Sequence, residues 1–190
     1  YLNSFLRTTK ENAVMEISSQ LLEKYNQPVP RYTSYPTANH FTDAISSDKY
    51  LEMVELSNER KPSNIALYFH IPFCRKICFY CGCNSCRMTS EDEYKSYHEA
   101  LKKELEIITS RLDSDRTVTQ VHFGGGTPNS IPAHYLVEII NLIKNGYKLS
   151  PDVEIAIECN PALLDRDYVN SLKSAGFNRF SLGIQDFEPG

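Results

Sequence analysis

From Ile65 onward, β-branched and aromatic runs alternate with longer helical runs, and no other feature constrains the fold as tightly. Ile65-Ala66-Leu67-Tyr68-Phe69-His70-Ile71 reads as a buried strand. Ser90-Glu91-Asp92-Glu93 follows as a capping box, where a hydroxyl and a carboxylate satisfy free amides at a helix start. That helix carries Tyr94, Tyr97, Leu101, Leu105, Ile108 and Leu112 on one face. Residues 119–123 form the second strand, and Leu136, Ile139, Ile140 and Ile143 mark a helix stopped at Gly146. Residues 153–158 are the third strand. A third helix runs from about Asp165 through Val169 and Leu172 to Gly176, before a fourth strand at 179–185. Such alternation needs crossover helices, hence a parallel sheet in an α/β fold. Ligands of such sheets sit at the carboxyl ends of the strands. Each motif below falls at such an end.

Residues 1–64 read differently, as a helical and extended arm. Val14, Ile17, Leu21 and Leu22 recur at helical spacing and predict a helix ending near Tyr25. Pro28, Pro30 and Pro36 forbid a regular helix around Arg31-Tyr32-Thr33-Ser34-Tyr35 and favour an extended segment. A short helix is expected over residues 48–58, then a loop at Arg60-Lys61-Pro62-Ser63. The net charge of −4 offers no basic footprint for nucleic acid. No run approaches the ~18 apolar residues of a membrane span, and the first residues lack a signal-peptide core. The expected compartment is the cytoplasm. The chain starts at Tyr1 and stops just after a strand, so it reads as the N-terminal part of a longer protein.

Five of the six cysteines, Cys74, Cys78, Cys81, Cys83 and Cys86, fall in one short stretch. A disulfide framework would spread them to close distant loops, so the crowding points to a metal. Cys74, Cys78 and Cys81 fit C-x₃-C-x₂-C, which can wrap three thiolates around one cubane and leave the fourth iron open. An open iron binds a small molecule, as the open position of catalytic zinc does. Structural zinc and a plain electron-transfer cluster, with Cys83 or Cys86 as fourth ligand, stay open on spacing alone. Cys83 is read as a non-ligand near the site, and Cys86 and Cys159 as structural.

The second strand runs into Gly124-Gly125-Gly126-Thr127-Pro128. Three glycines let a backbone approach a ligand closely. The run lacks both the G-x-G-x-x-G spacing of a dinucleotide site and the ending of a P-loop. Glu158, at the end of the third strand, can accept hydrogen bonds from a ribose or an ammonium group. Gln185, at the end of the fourth, can donate and accept. His70 and His122 are read as packing residues.

These motifs together resemble the radical S-adenosylmethionine superfamily: C-x₃-C-x₂-C after Tyr68-Phe69-His70-Ile71-Pro72-Phe73, and Gly124-Gly125-Gly126-Thr127-Pro128 on the next strand. Within it, Pro30-Arg31-Tyr32-Thr33-Ser34-Tyr35-Pro36-Thr37, Cys81-Gly82-Cys83-Asn84 and Gly176-Phe177-Asn178-Arg179 resemble the oxygen-independent coproporphyrinogen III oxidase family. So does Gly183-Ile184-Gln185-Asp186-Phe187. The resemblance implies a partial (β/α)₆ barrel whose first half is residues 65–190. It implies a [4Fe–4S] cluster on Cys74, Cys78 and Cys81. Gly125, Gly126, Thr127, Glu158 and Gln185 would contact S-adenosylmethionine, with Tyr68 and Tyr80 bordering it. The family often has Phe at the Tyr80 position. The implied reaction turns two propionates of coproporphyrinogen III into vinyl groups, giving protoporphyrinogen IX, through a 5′-deoxyadenosyl radical. Arg31 is a substrate-side candidate, because the substrate carries four carboxylates that call for cationic side chains, and Cys83, near the site, is a second one. Partners would be an electron donor and an electron acceptor, and the protein a monomer. The chain by itself is expected to be inactive, with half a barrel and an open last edge. Competing readings are a haem-binding or haem-degrading paralogue, and a non-catalytic iron–sulfur or zinc module.

Overall fold

The computed structural model describes residues 18–26, 37–88 and 90–185. The chain divides into two units, Tyr1–Ala44 and Ile45–Gly190. In the first, helix α1 (Ser19–Tyr25) starts where the Ser18 hydroxyl accepts from the Leu21 N–H, and it ends at Tyr25 as the spacing predicts. Val14, Ile17 and the arm at 28–36, Arg31 included, lie outside the described residues.

The second unit begins twenty residues ahead of the strand–helix alternation, since helix α2 (Ser47–Leu56) belongs to it. Strands β1 (Ile65–Ile71), β4 (Thr117–Gly125), β5 (Lys148–Cys159) and β6 (Arg179–Leu182) form one parallel sheet in that order. Strands β2 (Phe73–Cys74) and β3 (Cys86–Arg87) form a separate parallel pair. Helices α3 (Glu91–Arg111), α4 (Ala133–Gly146) and α5 (Arg166–Ala175) are the crossovers. The Ser90 hydroxyl caps α3 by accepting from the Glu93 N–H, as the capping box requires.

Apolar side chains alternate onto one face of the sheet. Val121 and Phe123 of β4 and Ile155 and Ile157 of β5 are fully covered there by Leu136, Ile139, Ile140 and Ile143 of α4 and Leu172 of α5. The 136-139-140-143 spacing puts the α4 residues on one stripe. Phe123 stacks on Phe69 at 5.0 Å and meets Phe177 at 5.3 Å, which binds β1, β4 and the α5–β6 turn into one cluster. That turn depends on Gly176, held at φ 107°, where a Cβ would clash with its own backbone. Asn178 then stands in for a strand neighbour: its side chain accepts from the Ile155 N–H at 2.8 Å and donates to the Val153 carbonyl at 2.8 Å.

The structure corrects the expected elements in five places. β1 is covered on one face only, with Ala66 and Tyr68 exposed on the other. β4 and β5 are longer than read from the sequence, and β5 carries extra residues around Pro151, where its register against β4 shifts. Proline cannot donate to the ladder, so the strand bulges there. β6 ends at Leu182, where the Gly183 N–H makes the last ladder bond to the Cys159 carbonyl at 2.9 Å, and Gln185 lies beyond the strand. α4 ends at Gly146 without a left-handed cap, and the extended Tyr147 closes it by donating to the Ile143 carbonyl. The β2–β3 pair is too short to show a periodic pattern. Among the described residues no helix is long and apolar enough to cross a membrane.

Two outcomes test this packing. Phe123→Ala should cost about 3–5 kcal/mol in urea unfolding, and a loss below about 1 kcal/mol would show the cluster is not close-packed. Glu138 joins α3 to α4 through Lys102 at 2.7 Å and His98 at 2.9 Å. Those bonds, that of Lys102 first, hold its carboxyl below the usual range. The native state therefore holds its proton less readily than the unfolded chain. The stabilisation is present above the unfolded carboxyl pKa and fades as pH falls through the folded one. Glu138→Gln should thus be less stable than the parent at neutral pH and converge with it in strong acid, as read by thermal unfolding.

Candidate cofactor site

The cysteine stretch is anchored at its start and its end. Residues 72–74 lie between two other segments. On one side the Gly126 N–H donates to the Ile71 carbonyl at 2.9 Å and the Thr127 N–H to the Phe73 carbonyl at 3.0 Å. On the other, the Cys86 and Met88 N–H groups donate to the Pro72 and Cys74 carbonyls, both at 2.9 Å. The loop between them is thus closed at its base, and its middle is free to present thiols. Cys74 is buried, with its sulfur 3.2 Å from the Thr127 hydroxyl, while Cys78, Cys81 and Cys83 are exposed.

The glycine run has a second reason for lacking side chains. A Cβ on Gly126 would lie 2.5 Å from the Pro72 carbonyl oxygen and 2.9 Å from the Cys74 sulfur. Gly125 has φ 123°, and a Cβ there would lie 2.8 Å from the Ile71 carbonyl oxygen. On Gly124 it would lie 3.0 Å from the Tyr68 hydroxyl and 3.1 Å from a Glu158 oxygen. The close approach expected of a ligand is made first by the protein's own cysteine strand.

A cavity of about 630 Å³ opens over this edge. All three predicted cluster ligands line it, as do Tyr80, Gly125, Gly126, Thr127, Glu158 and Gln185. Cys83 lines it too. Tyr68 does not, but its hydroxyl reaches the same corner beside Gly124 and Glu158. Arg31 lies outside the described residues. The rim between the second and third sheet strands is held by a reciprocal amide pair. Asn129 donates to the Asn160 carbonyl at 2.9 Å and accepts from the Asn160 N–H at 2.8 Å.

The donor set suits an iron–sulfur cluster. All six cysteines are free thiols. The Ser85 hydroxyl, 3.6 Å from the Cys81 sulfur, and the Cys83 backbone hold the Cys81 thiol below its ordinary pKa. That favours the thiolate, the form that binds metal. Cys83 is pushed up, mainly by Cys81 beside it. Burial, then Glu158, pushes Cys159 up to about 11, as suits an inert packing residue. Among the described residues no three His, Cys, Asp or Glu groups converge on one metal ion. A cubane does not ask for that, because each cysteine binds a different iron.

Sequence reasoning missed four polar contacts here. The His70 ring lies 2.7 Å from the Asn84 carbonyl through Nε2 and 3.0 Å from the Tyr68 hydroxyl through Nδ1. A carbonyl only accepts, so Nε2 carries the proton and, in the neutral ring, Nδ1 accepts from Tyr68. This ties β1 to the cysteine loop. His122 Nε2 sits 3.1 Å from Glu158, whose other oxygen accepts from the Gly125 N–H at 3.3 Å. Period-two alternation put both histidines on the open face, but nothing in it named their partners.

Comparison with known proteins agrees with this geometry. The oxygen-independent coproporphyrinogen III oxidase of Synechocystis sp. is 40% identical over 173 residues, covering 91% of this chain and 37% of that protein. Its namesake in Escherichia coli is 38% identical over 167 residues, 88% of this chain and 36% of that protein. The chain thus spans little more than a third of the length of these relatives. A solved structure of the Escherichia coli coproporphyrinogen III oxidase, described as a radical SAM enzyme, superposes with a TM-score of 0.75 at 35% identity. It covers 89% of this chain and 37% of that one. The Radical SAM superfamily profile matches residues 68–190, from the tyrosine that touches the Gly124 corner to beyond Gln185. The thiol loop, the glycine edge and the two polar strand ends all fall inside that span, and the chain belongs to the radical SAM superfamily, whose members use a [4Fe–4S] cluster and S-adenosylmethionine.

Proposed function

We propose that this chain is the cofactor-binding part of an oxidoreductase that decarboxylates two propionates of coproporphyrinogen III. Cys74, Cys78 and Cys81 would hold the cluster, and Gly125, Gly126, Thr127, Glu158 and Gln185 the S-adenosylmethionine, with Tyr68 and Tyr80 at its border. The observation that carries this reading is the single cavity that joins the three-cysteine loop to the glycine edge and Glu158. The similarity to coproporphyrinogen III oxidases supplies the substrate class.

Held together there, the two groups would supply hydrogen-atom abstraction from a propionate side chain, fed by one electron from an outside donor, and the CO₂ and remaining electron would pass out to solvent and to an outside acceptor. The protein's part is placement. Gly126 lets the Cys74 strand and the glycine edge touch, so thiol and backbone donors share one wall. Gly125, Glu158 and Gln185 offer a backbone N–H, a carboxylate and an amide, which suit an amino acid and a ribose. Cys83, exposed on the cavity wall next to Cys81, takes the substrate side, as does Arg31 against a substrate carboxylate. Residues 65–190 act as the first half of a barrel and residues 1–64 as its arm. The reading carries with it a monomer in a reducing, cytoplasmic setting, an outside electron donor and an outside acceptor.

Anaerobic reconstitution should give about four irons and four sulfides per chain, with a spin-resonance spectrum that changes on adding S-adenosylmethionine. Cys78→Ser should abolish it. Zinc alone, or a spectrum indifferent to the sulfonium, would sink the reading. The longer protein should release 5′-deoxyadenosine and CO₂ from coproporphyrinogen III; haem binding without CO₂ would point to a paralogue instead. Gly126→Ala should push Cys74 off its place and lower the iron content of reconstituted protein severalfold, while Gly82→Ala, where a Cβ meets open space, should leave it unchanged.

A further inference from the structure

His122 reaches the site from the open face of β4. The register sets it beside Tyr68 of β1 and Ala156 of β5. The small Ala156 leaves room for the imidazole to reach the residue two further along β5, Glu158. The Tyr68 ring stacks on His122 at 5.9 Å with the planes 13° apart, which limits the tilt of the imidazole. A carboxylate can only accept, so the Nε2 that faces Glu158 at 3.1 Å carries a proton. The second carboxylate oxygen already accepts from the Gly125 N–H at 3.3 Å. Each oxygen is therefore held by one donor from the chain, and each keeps lone-pair capacity for a ligand. One layer below, Arg179 is taken up by Glu154, at 3.0 and 3.1 Å, so this cation has a carboxylate of its own.

We propose that His122 is a positioning residue for S-adenosylmethionine, acting through Glu158: the Nε2–H and the Gly125 N–H together hold the carboxylate in its binding pose before the ligand arrives. This rests on the reading of Glu158 as an S-adenosylmethionine contact. A free glutamate must be ordered on binding, and that entropic cost weakens affinity; a glutamate already held escapes most of it. Phe at this position would keep the bulk and the stack on Tyr68 but lose the donor. Gln would keep an N–H near the place of Nε2.

The test is the dissociation constant of S-adenosylmethionine for the cluster-loaded chain, by anaerobic equilibrium dialysis. Iron content and thermal midpoint are followed alongside. His122→Phe should weaken binding roughly three- to tenfold with both controls unchanged, and His122→Gln should restore it to within about twofold. In a Glu158→Ala background, His122→Phe should have no further effect. Unchanged binding in His122→Phe would overturn the proposal. So would a Gln variant as weak as the Phe variant, or full weakening in the absence of Glu158. If the parent protein itself fails to bind S-adenosylmethionine, the reading of the whole site falls, and the inference with it.

Discussion

Residues 72–74 run between the glycine edge and β3 so closely that only a hydrogen fits at Gly126. Four backbone hydrogen bonds, two on each side, hold residues 71–74. Everything proposed for the site depends on this contact. It buries Cys74 against Thr127, closes the base of the cysteine loop, and sets the loop above the ends of β4 and β5. A side chain at Gly126 would have to displace backbone, which cannot yield as the tip of a flexible side chain can.

The sheet divides its labour between its faces. One is a packed hydrocarbon layer against α4 and α5. The other is polar, with Tyr68, His70, Gln120, His122, Glu154, Glu158 and Arg179 linked by hydrogen bonds and ring contacts. A closed barrel filled with side chains would show Val, Ile and Leu on both faces. A face lined with donors and acceptors suits a barrel that encloses a polar ligand, and the strand ends on that face are where the cavity lies.

Much of this was legible beforehand, for identifiable reasons. Ile65–Ile71 and the four-stranded parallel order follow from apolar runs broken by capped helices, and those signals are local. The C-x₃-C-x₂-C spacing is equally local. The β2–β3 pair was not readable, because two residues hold no period. The shortening of β6 was not readable either, since residues 179–185 read as one strand-like run and only pairing with β5 decides where it stops. The partners of His70 and His122 were not readable, because strand alternation places a side chain on a face without saying what stands opposite it.

The amino-acid sequence by itself determined the element order, the thiol triplet, the glycine edge and the polar ends of the strands, since each is written in residues near one another along the chain. Tertiary structure alone decided that Glu158 is held between His122 and Gly125, that Asn84 is tied to His70, and that Gly126 is empty for the sake of Cys74. These contacts join residues 14 to 52 positions apart. They exist only once strand register has set the neighbours, and register is a property of the assembled sheet and of no single segment.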